Sequence, residues 1–191
     1  MPVPASVVEP GAGRRADRHA RRHRARPLHH AGRPGLRRGA IPGHGRHEPV
    51  EVWIAGTAEP AIDRAARLAE GWLVSPEPTF EQAKTAIDYY RARCATHKRT
   101  PMAIAIRRDI YVGESAAEAE KTARAVVDRG YRGIEPSALV WGDVATVAEK
   151  FRRLGAMGYT DVIVRHLVDD QAKIIGSLAR LAEVRKAVAA G

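Results

Sequence analysis

The sequence is poor in the groups that most often announce a function. It has one cysteine, Cys94, which excludes an internal disulfide framework and any multi-cysteine zinc site and points to a reducing, cytoplasmic setting. No apolar stretch reaches the roughly 18 residues of a membrane span. The opening MPVPASVVEP has neither the basic region nor the apolar core of a secretory signal. Neither a GxxxxGK[ST] loop nor a GxGxxG fingerprint occurs, which disfavours NTP hydrolysis and a Rossmann dinucleotide site.

Other absences are local, and they divide the chain. Residues 1–49 contain no aromatic residue and no lysine, yet hold 11 arginines and six of the eight histidines. They carry a net charge of +8, against +2 for residues 50–191, so the total of +10 belongs mainly to the leader. The stretch GRRADRHARRHRARPLHHAGRPGLRRGAIPGHGRH has only scattered apolar residues, too few to offset the entropy of ordering it. Residues 1–48 are therefore expected to form a disordered Arg/His/Gly/Pro-rich arm. Arginine clusters neutralise phosphates, so one reading of the arm is a nucleic-acid or acidic-partner contact. The missing lysines and aromatic stacking groups make nucleic acid an unlikely partner. The other reading is out-of-frame translation of GC-rich DNA, a frameshift or start-site artefact. His19 and His23 stand four apart, but the arginines around them would repel a cation, so no metal site is expected.

From Val50 onward, β-rich runs alternate with segments of 3.6-residue period. VEVWIAG (50–56) reads as a buried strand, and residues 58–70 as a helix that buries Ile62, Ala65, Ala66 and Ala69. Pro60 is tolerable there because it falls in the first turn. GWLVS (71–75) is a second strand. Thr79-x-x-Gln82 is a capping box that opens a helix burying Ala83, Ile87, Tyr90 and Cys94. MAIAIRRDIYVG (102–113) is a third strand, with Ile104, Ile106, Ile110 and Val112 on one face and Arg108 interrupting it. Ser115-x-x-Glu118 is a second capping box, for a helix with Ala119, Ala123, Val126 and Val127 inward. Residues 131–142 read as a loop. Asp143 then caps a helix striped with Val144, Val147, Ala148, Phe151 and Leu154. TDVIVRHL (160–167) is a fourth strand, whose Val-Ile-Val centre suggests cover on both faces. A final helix from about 170 to 189 packs Ile174, Leu178, Leu181 and Val188. Four strand–helix alternations argue for right-handed βαβ units and a parallel sheet, either a small open sheet or half of an eight-stranded barrel.

The strings WIAGTAEPAIDRAARLAEGWLVS, RRDIYVGESAAEAE and WGDVATVAEKFRRLGAMGYTDVIVRHL resemble the C-terminal half of the bacterial luciferase-like flavin-dependent oxidoreductases. The resemblance runs along residues 49–191 and implies a partial (β/α)8 barrel, roughly its last four β/α units. It further implies a flavin-dependent monooxygenase or oxidoreductase that uses FMN or a deazaflavin coenzyme on a small-molecule substrate. A complete barrel takes roughly 250 residues and the legible part supplies 142. A truncated member with weak or no turnover alone is therefore expected, and open sheet edges could let it form a homo-oligomer. The alternative is a non-enzymatic α/β module whose basic arm contacts nucleic acid or acidic partners.

Flavin enzymes leave the electron chemistry to the cofactor, so no catalytic triad or carboxylate pair is expected, and the catalytic residues stay unassigned. Ala55, Gly56, Thr57 and Ala58 link a strand to a helix, where free N–H groups and the helix dipole can receive a phosphate. The resemblance implies a flavin phosphate at this turn, although a simple capped turn accounts for the same residues and Glu59 opposes a dianion. Arg165 and His166 end the fourth strand, at the rim where barrels handle ligands. Arg165 is a candidate for a phosphate or acidic substrate, or an ordinary ion pair; His166 is a candidate hydrogen-bond or proton donor, or a packed residue. Arg107, Arg108 and Asp109 read as a structural charge pairing within a strand. Trp53 and Trp72 are both expected between sheet and helices.

Overall fold

A computed structural model describes residues 51–190; the expected disordered arm and its histidines lie outside the described residues. The order is β1 (Trp53–Ala55), α1 (Glu59–Leu68), β2 (Gly71–Val74), α2 (Phe80–Thr96), β3 (Ala103–Val112), α3 (Ala116–Val127), a 3-10 turn (Pro136–Ala138), β4 (Val140–Gly142), α4 (Val144–Met157), β5 (Asp161–His166) and α5 (Gln171–Ala189). Every strand pair is parallel. The sheet runs β1-β2-β3, with β5 on the other side of β3 and β4 pairing beyond the end of β2. This is an α/β fold with the parallel sheet of a partial barrel.

Local chemistry fixes the helix starts. Thr79 and Gln82 form the full capping box, each side chain receiving the other's backbone N–H. Asp143 accepts from the Thr146 amide at 2.9 Å. Ser115 accepts from the Glu118 amide, but Glu118 turns its carboxylate to the Glu114 amide, Tyr111 and Thr122 instead of closing the box.

Period-two alternation divides the sheet. Ile54, Trp72, Val74, Ile104, Ile106, Ile110, Val112, Val162 and Val164 point to one face, where α1, α2, α4 and α5 cover them in one apolar core. Ile87, Tyr90 and Cys94 lie in that core, as the period of α2 predicts. A second, smaller core gathers around Tyr111, joining α3 to Ile134, Leu139, Leu167 and Val168. The other sheet face, which we call the inner face, is exposed along β1 and β5.

Four expectations need correction. There are five strands, because residues 131–142 contain β4, whose three residues are too few to show a period. β5 is covered on one face only, and Ile163 at its centre is 40% exposed. Trp53 lies on the inner face, 37% exposed, with its indole N–H donated to Glu51, whereas Trp72 is fully buried under the helices. Leu178 is half exposed, and α5 instead buries Ser177 and Val184.

Candidate functional site

The strands are parallel, so their C-terminal ends meet on one rim, and each sequence candidate can be placed against it. The Ala55–Ala58 turn leaves β1 at this rim. Gly56 has φ +143°, and a Cβ there would lie 2.8 Å from that of Ala61, so only glycine lets the chain turn this close to α1. The turn is anchored twice on β2: the Gly56 amide donates to the Leu73 carbonyl at 3.1 Å, and the buried Trp72 indole donates to the Gly56 carbonyl at 2.8 Å. Ala58 takes the N-cap position with no side-chain cap, so the Thr57 hydroxyl leaves the helix uncapped. The Ala61 and Ile62 amides both turn to the Ala58 carbonyl, and Pro60 has no N–H. The amides of Thr57, Ala58 and Glu59 bond to no described residue, and all three residues are exposed, which leaves three backbone donors near the Thr57 hydroxyl. Free backbone donors at a helix N-terminus are the kind of group that receives an anion, and the Glu59 carboxylate in the first turn opposes one.

Arg165 and His166 are adjacent in β5 and point to opposite faces. Arg165 pairs in register with Asp109 of β3 and is exposed on the inner face. His166 pairs with Ile110 and turns to the helix side, where both ring nitrogens are buried without a hydrogen-bond partner and burial pushes the imidazole below its ordinary value.

Beside Arg165 the inner face holds a cluster that its sequence spacing only half announces. Arg107 donates through Nε and Nη2 to the two oxygens of the fully buried Asp109, at 3.1 and 3.3 Å. Their two-residue spacing puts both on one face, so the charge pairing read from the sequence is real for these two. Tyr131 closes over the same carboxylate, its hydroxyl donating to Asp109 at 2.8 Å. Burial, then that hydrogen bond, pushes the phenol up to about 12, while Arg165 and Arg107 both pull it the other way. No local pattern marks Tyr131, which reaches Asp109 across 22 residues.

Arg108 departs from its neighbours. It is fully buried on the helix face over Phe80 (5.1 Å to the ring centre), and its Nη1 donates to the Pro76 and Pro78 carbonyls at 3.3 and 2.7 Å. Its Nε and Nη2 have no partner, and burial pulls the guanidinium pKa down to about 10. It therefore ties down the loop after β2 from behind the sheet.

A cavity of about 580 Å³ opens between α3, Tyr131 and the β5–α5 loop, floored by Thr122, Leu167 and Val168. Its rim sets Lys121, Arg129 and Lys173 against Glu118, Asp169 and Asp170, so it has no charge preference. Among the described residues no cluster of His, Cys, Asp or Glu could hold a metal ion, and no helix is long and apolar enough to cross a membrane.

The chain matches the model of the luciferase-like monooxygenase family over residues 6–190. The chain belongs to that family. The match begins upstream of Val50, within the arginine-rich leader. Among solved structures the chain is similar to apo-MsnO8, at 17% identity and TM-score 0.59, covering 76% of this chain and 53% of that one. It is similar to the FMN complex of the oxygenating constituent of 3,6-diketocamphane monooxygenase from Pseudomonas putida, a type II Baeyer-Villiger enzyme (18%, 0.56, 70% and 47%). It is also similar to an F420-dependent secondary alcohol dehydrogenase in complex with an F420-acetone adduct (14%, 0.56, 74% and 50%). At these identities the likeness concerns the fold, and the chain spans about half the length of these proteins. No curated protein matches.

Proposed function

We propose that the chain is part of a flavin-dependent oxidoreductase that binds FMN or a deazaflavin coenzyme and acts on a small-molecule substrate. The observation that carries this reading is the family match along residues 6–190; the solved relatives bound to FMN and to F420 supply the two cofactor classes.

The cofactor supplies the electron transfer when bound, whether hydride transfer or monooxygenation, and the chain's residues bind, orient and shield it. The Thr57, Ala58 and Glu59 amides and the Thr57 hydroxyl receive the anionic end at the mouth of α1. Ala55 and Gly56 contribute backbone alone, and the Trp72 indole holds the Gly56 carbonyl so that the turn is set before any ligand arrives. Ile163 and Trp53, exposed here, give the inner face an apolar wall that excludes water once further strands cover it. Arg165 supplies positive charge on that wall; His166, on the helix side, acts through packing.

Because the chain spans about half of its solved relatives, the inner face is completed by further strands in the working enzyme, and the 191-residue chain turns over weakly or not at all alone. The edges at β1 and β5 pair with no other described strand, which favours self-association. Buried Cys94 suits a reducing, cytoplasmic location.

The test is a titration of FMN and of a deazaflavin coenzyme into the chain alone and into the chain preceded by the remaining strands of a family barrel. Colour and flavin fluorescence should be retained after gel filtration only by the completed protein. A folded, completed barrel that stays colourless with both cofactors refutes the assignment.

A further inference from the structure

We propose that Arg107 and Arg165, beside Tyr131, form an anion-recognition site on the inner face, taking the carboxylate or phosphate group of a small organic ligand. This is separate from the Gly56 turn. It deepens the reading above by naming the substrate class, and rests on that reading only where it calls the ligand a substrate.

The argument starts from placement. Arg107 pairs with Ile163, and Asp109 with Arg165, in the β3–β5 register. Paired residues of parallel strands point the same way, so Arg107 and Arg165 are diagonal neighbours on one face. With strands about 4.8 Å apart and about 3.3 Å per residue, their Cα atoms are about 8 Å apart. Side chains of this length converge readily across that distance, and two guanidinium groups brought together repel unless a negative charge lies between them.

The local carboxylate does not meet that need. Asp109 is fully buried, holds Arg107 through both oxygens, and takes the Tyr131 hydroxyl as well. Arg165 has no hydrogen bond or ion pair with any described residue, and neither has the Nη1 of Arg107. The result is a rigid arginine presented at a fixed angle and a free arginine beside it, with the Tyr131 hydroxyl proton already given to Asp109. Planar guanidinium groups suit the paired oxygens of a carboxylate or phosphate. Because the Asp109–Tyr131 contact already orders Arg107, binding an anion would cost little further side-chain entropy.

Isothermal titration of the full 191-residue chain at low salt, with benzoate and phenyl phosphate as probes, tests this directly. Arg165→Gln removes the free cation without orphaning a buried group, and Arg185→Gln on α5 is the control for diffuse attraction. The leader's arginines attract anions equally in all variants and cancel from the comparison. For at least one probe, Arg165→Gln should weaken binding fivefold or more, Arg165→Lys should recover part of the loss, and Arg185→Gln should leave affinity unchanged. Benzoate alone responding identifies a carboxylate ligand, phenyl phosphate alone a phosphate, and either supports the site. A loss below fivefold for both probes, or an equal loss in Arg185→Gln, overturns it. No flavin enters the measurement, so this result and the flavin titration can fail independently.

Discussion

Replacing Arg108 by methionine should leave the protein within about 1 kcal/mol of its original stability, although the residue is a fully buried cation. Burial pulls its pKa down to about 10, which sets the penalty for keeping the charge there at about 3 kcal/mol. Two hydrogen bonds to the Pro76 and Pro78 carbonyls oppose this; both come from the one Nη1, so each is taken at the low end for a charged donor, about 1.5 kcal/mol. The stacking over Phe80 at 5.1 Å adds about 1 kcal/mol more. The two sides nearly cancel. Methionine removes both together while filling most of the volume with apolar atoms, so what it loses at the two carbonyls it regains by ending the desolvation of charge. Alanine loses the same bonds and leaves a void, at about 2–3 kcal/mol.

At about 4 °C per kcal/mol for a domain of this size, thermal unfolding should put Arg108→Met within about 4 °C of the parent and Arg108→Ala about 10 °C below it. Urea denaturation should show unchanged slopes, so that the midpoints compare stabilities directly. An Arg108→Met midpoint as low as that of alanine would refute the balance. The guanidinium would then contribute net stability, and its two unpaired nitrogens would need a partner, such as internal water, that lowers its desolvation.

Three further outcomes follow from the same geometry. Gly56→Ala sets a side chain at φ +143° and 2.8 Å from the Ala61 Cβ; it should cost about 2 kcal/mol in urea denaturation, and a neutral result would show that the turn relaxes. Cys94 is buried in α2 with its thiol pushed up by burial, so a thiol reagent should react at the rate of global unfolding and not faster. His166 is held below the ordinary histidine value by burial. The unfolded chain therefore binds its proton first, and stability should fall as pH drops below about 6.5, levelling off once the folded-state value is passed. His166→Leu should flatten that portion of the urea-midpoint profile, and parallel profiles for parent and variant would remove His166 as the cause.

Patterns contained within one element were legible in the sequence, and patterns that depend on distant partners were not. The α2 stripe Ala83, Ile87, Tyr90 and Cys94 and the β3 stripe Ile104, Ile106, Ile110 and Val112 are buried as their periods require. Trp53 was misplaced although a signal existed: in VEVWI the apolar Val50, Val52 and Ile54 alternate with Glu51 and Trp53, which sends the tryptophan away from the helices. The Val-Ile-Val run of β5 suggests two covered faces because strand composition reports what the residues tolerate. Whether a second layer is present depends on other parts of the chain. Tyr131 carries no local mark at all, since its role comes from a loop folding back onto β3.

The division of the sheet into two faces has a consequence for how this family member can be altered. The helix-side core closes within residues 51–190, so changes there act on folding of the chain itself. Leu154 is fully buried in that core, and truncating such a residue to alanine costs roughly 3 kcal/mol. On the inner face Asp109 is fully buried, but Trp53, Ile163 and Arg165 are exposed, so changes at these three positions remove little buried surface and act mainly on what the face receives. One residue of strand register separates the two regimes at Arg165 and His166. Neighbouring substitutions should therefore split, with the arginine change altering anion affinity at constant stability and the histidine change altering pH-dependent stability at constant anion affinity. That separation follows from the pleat of β5 alone and requires no assumption about which flavin or substrate the complete barrel holds.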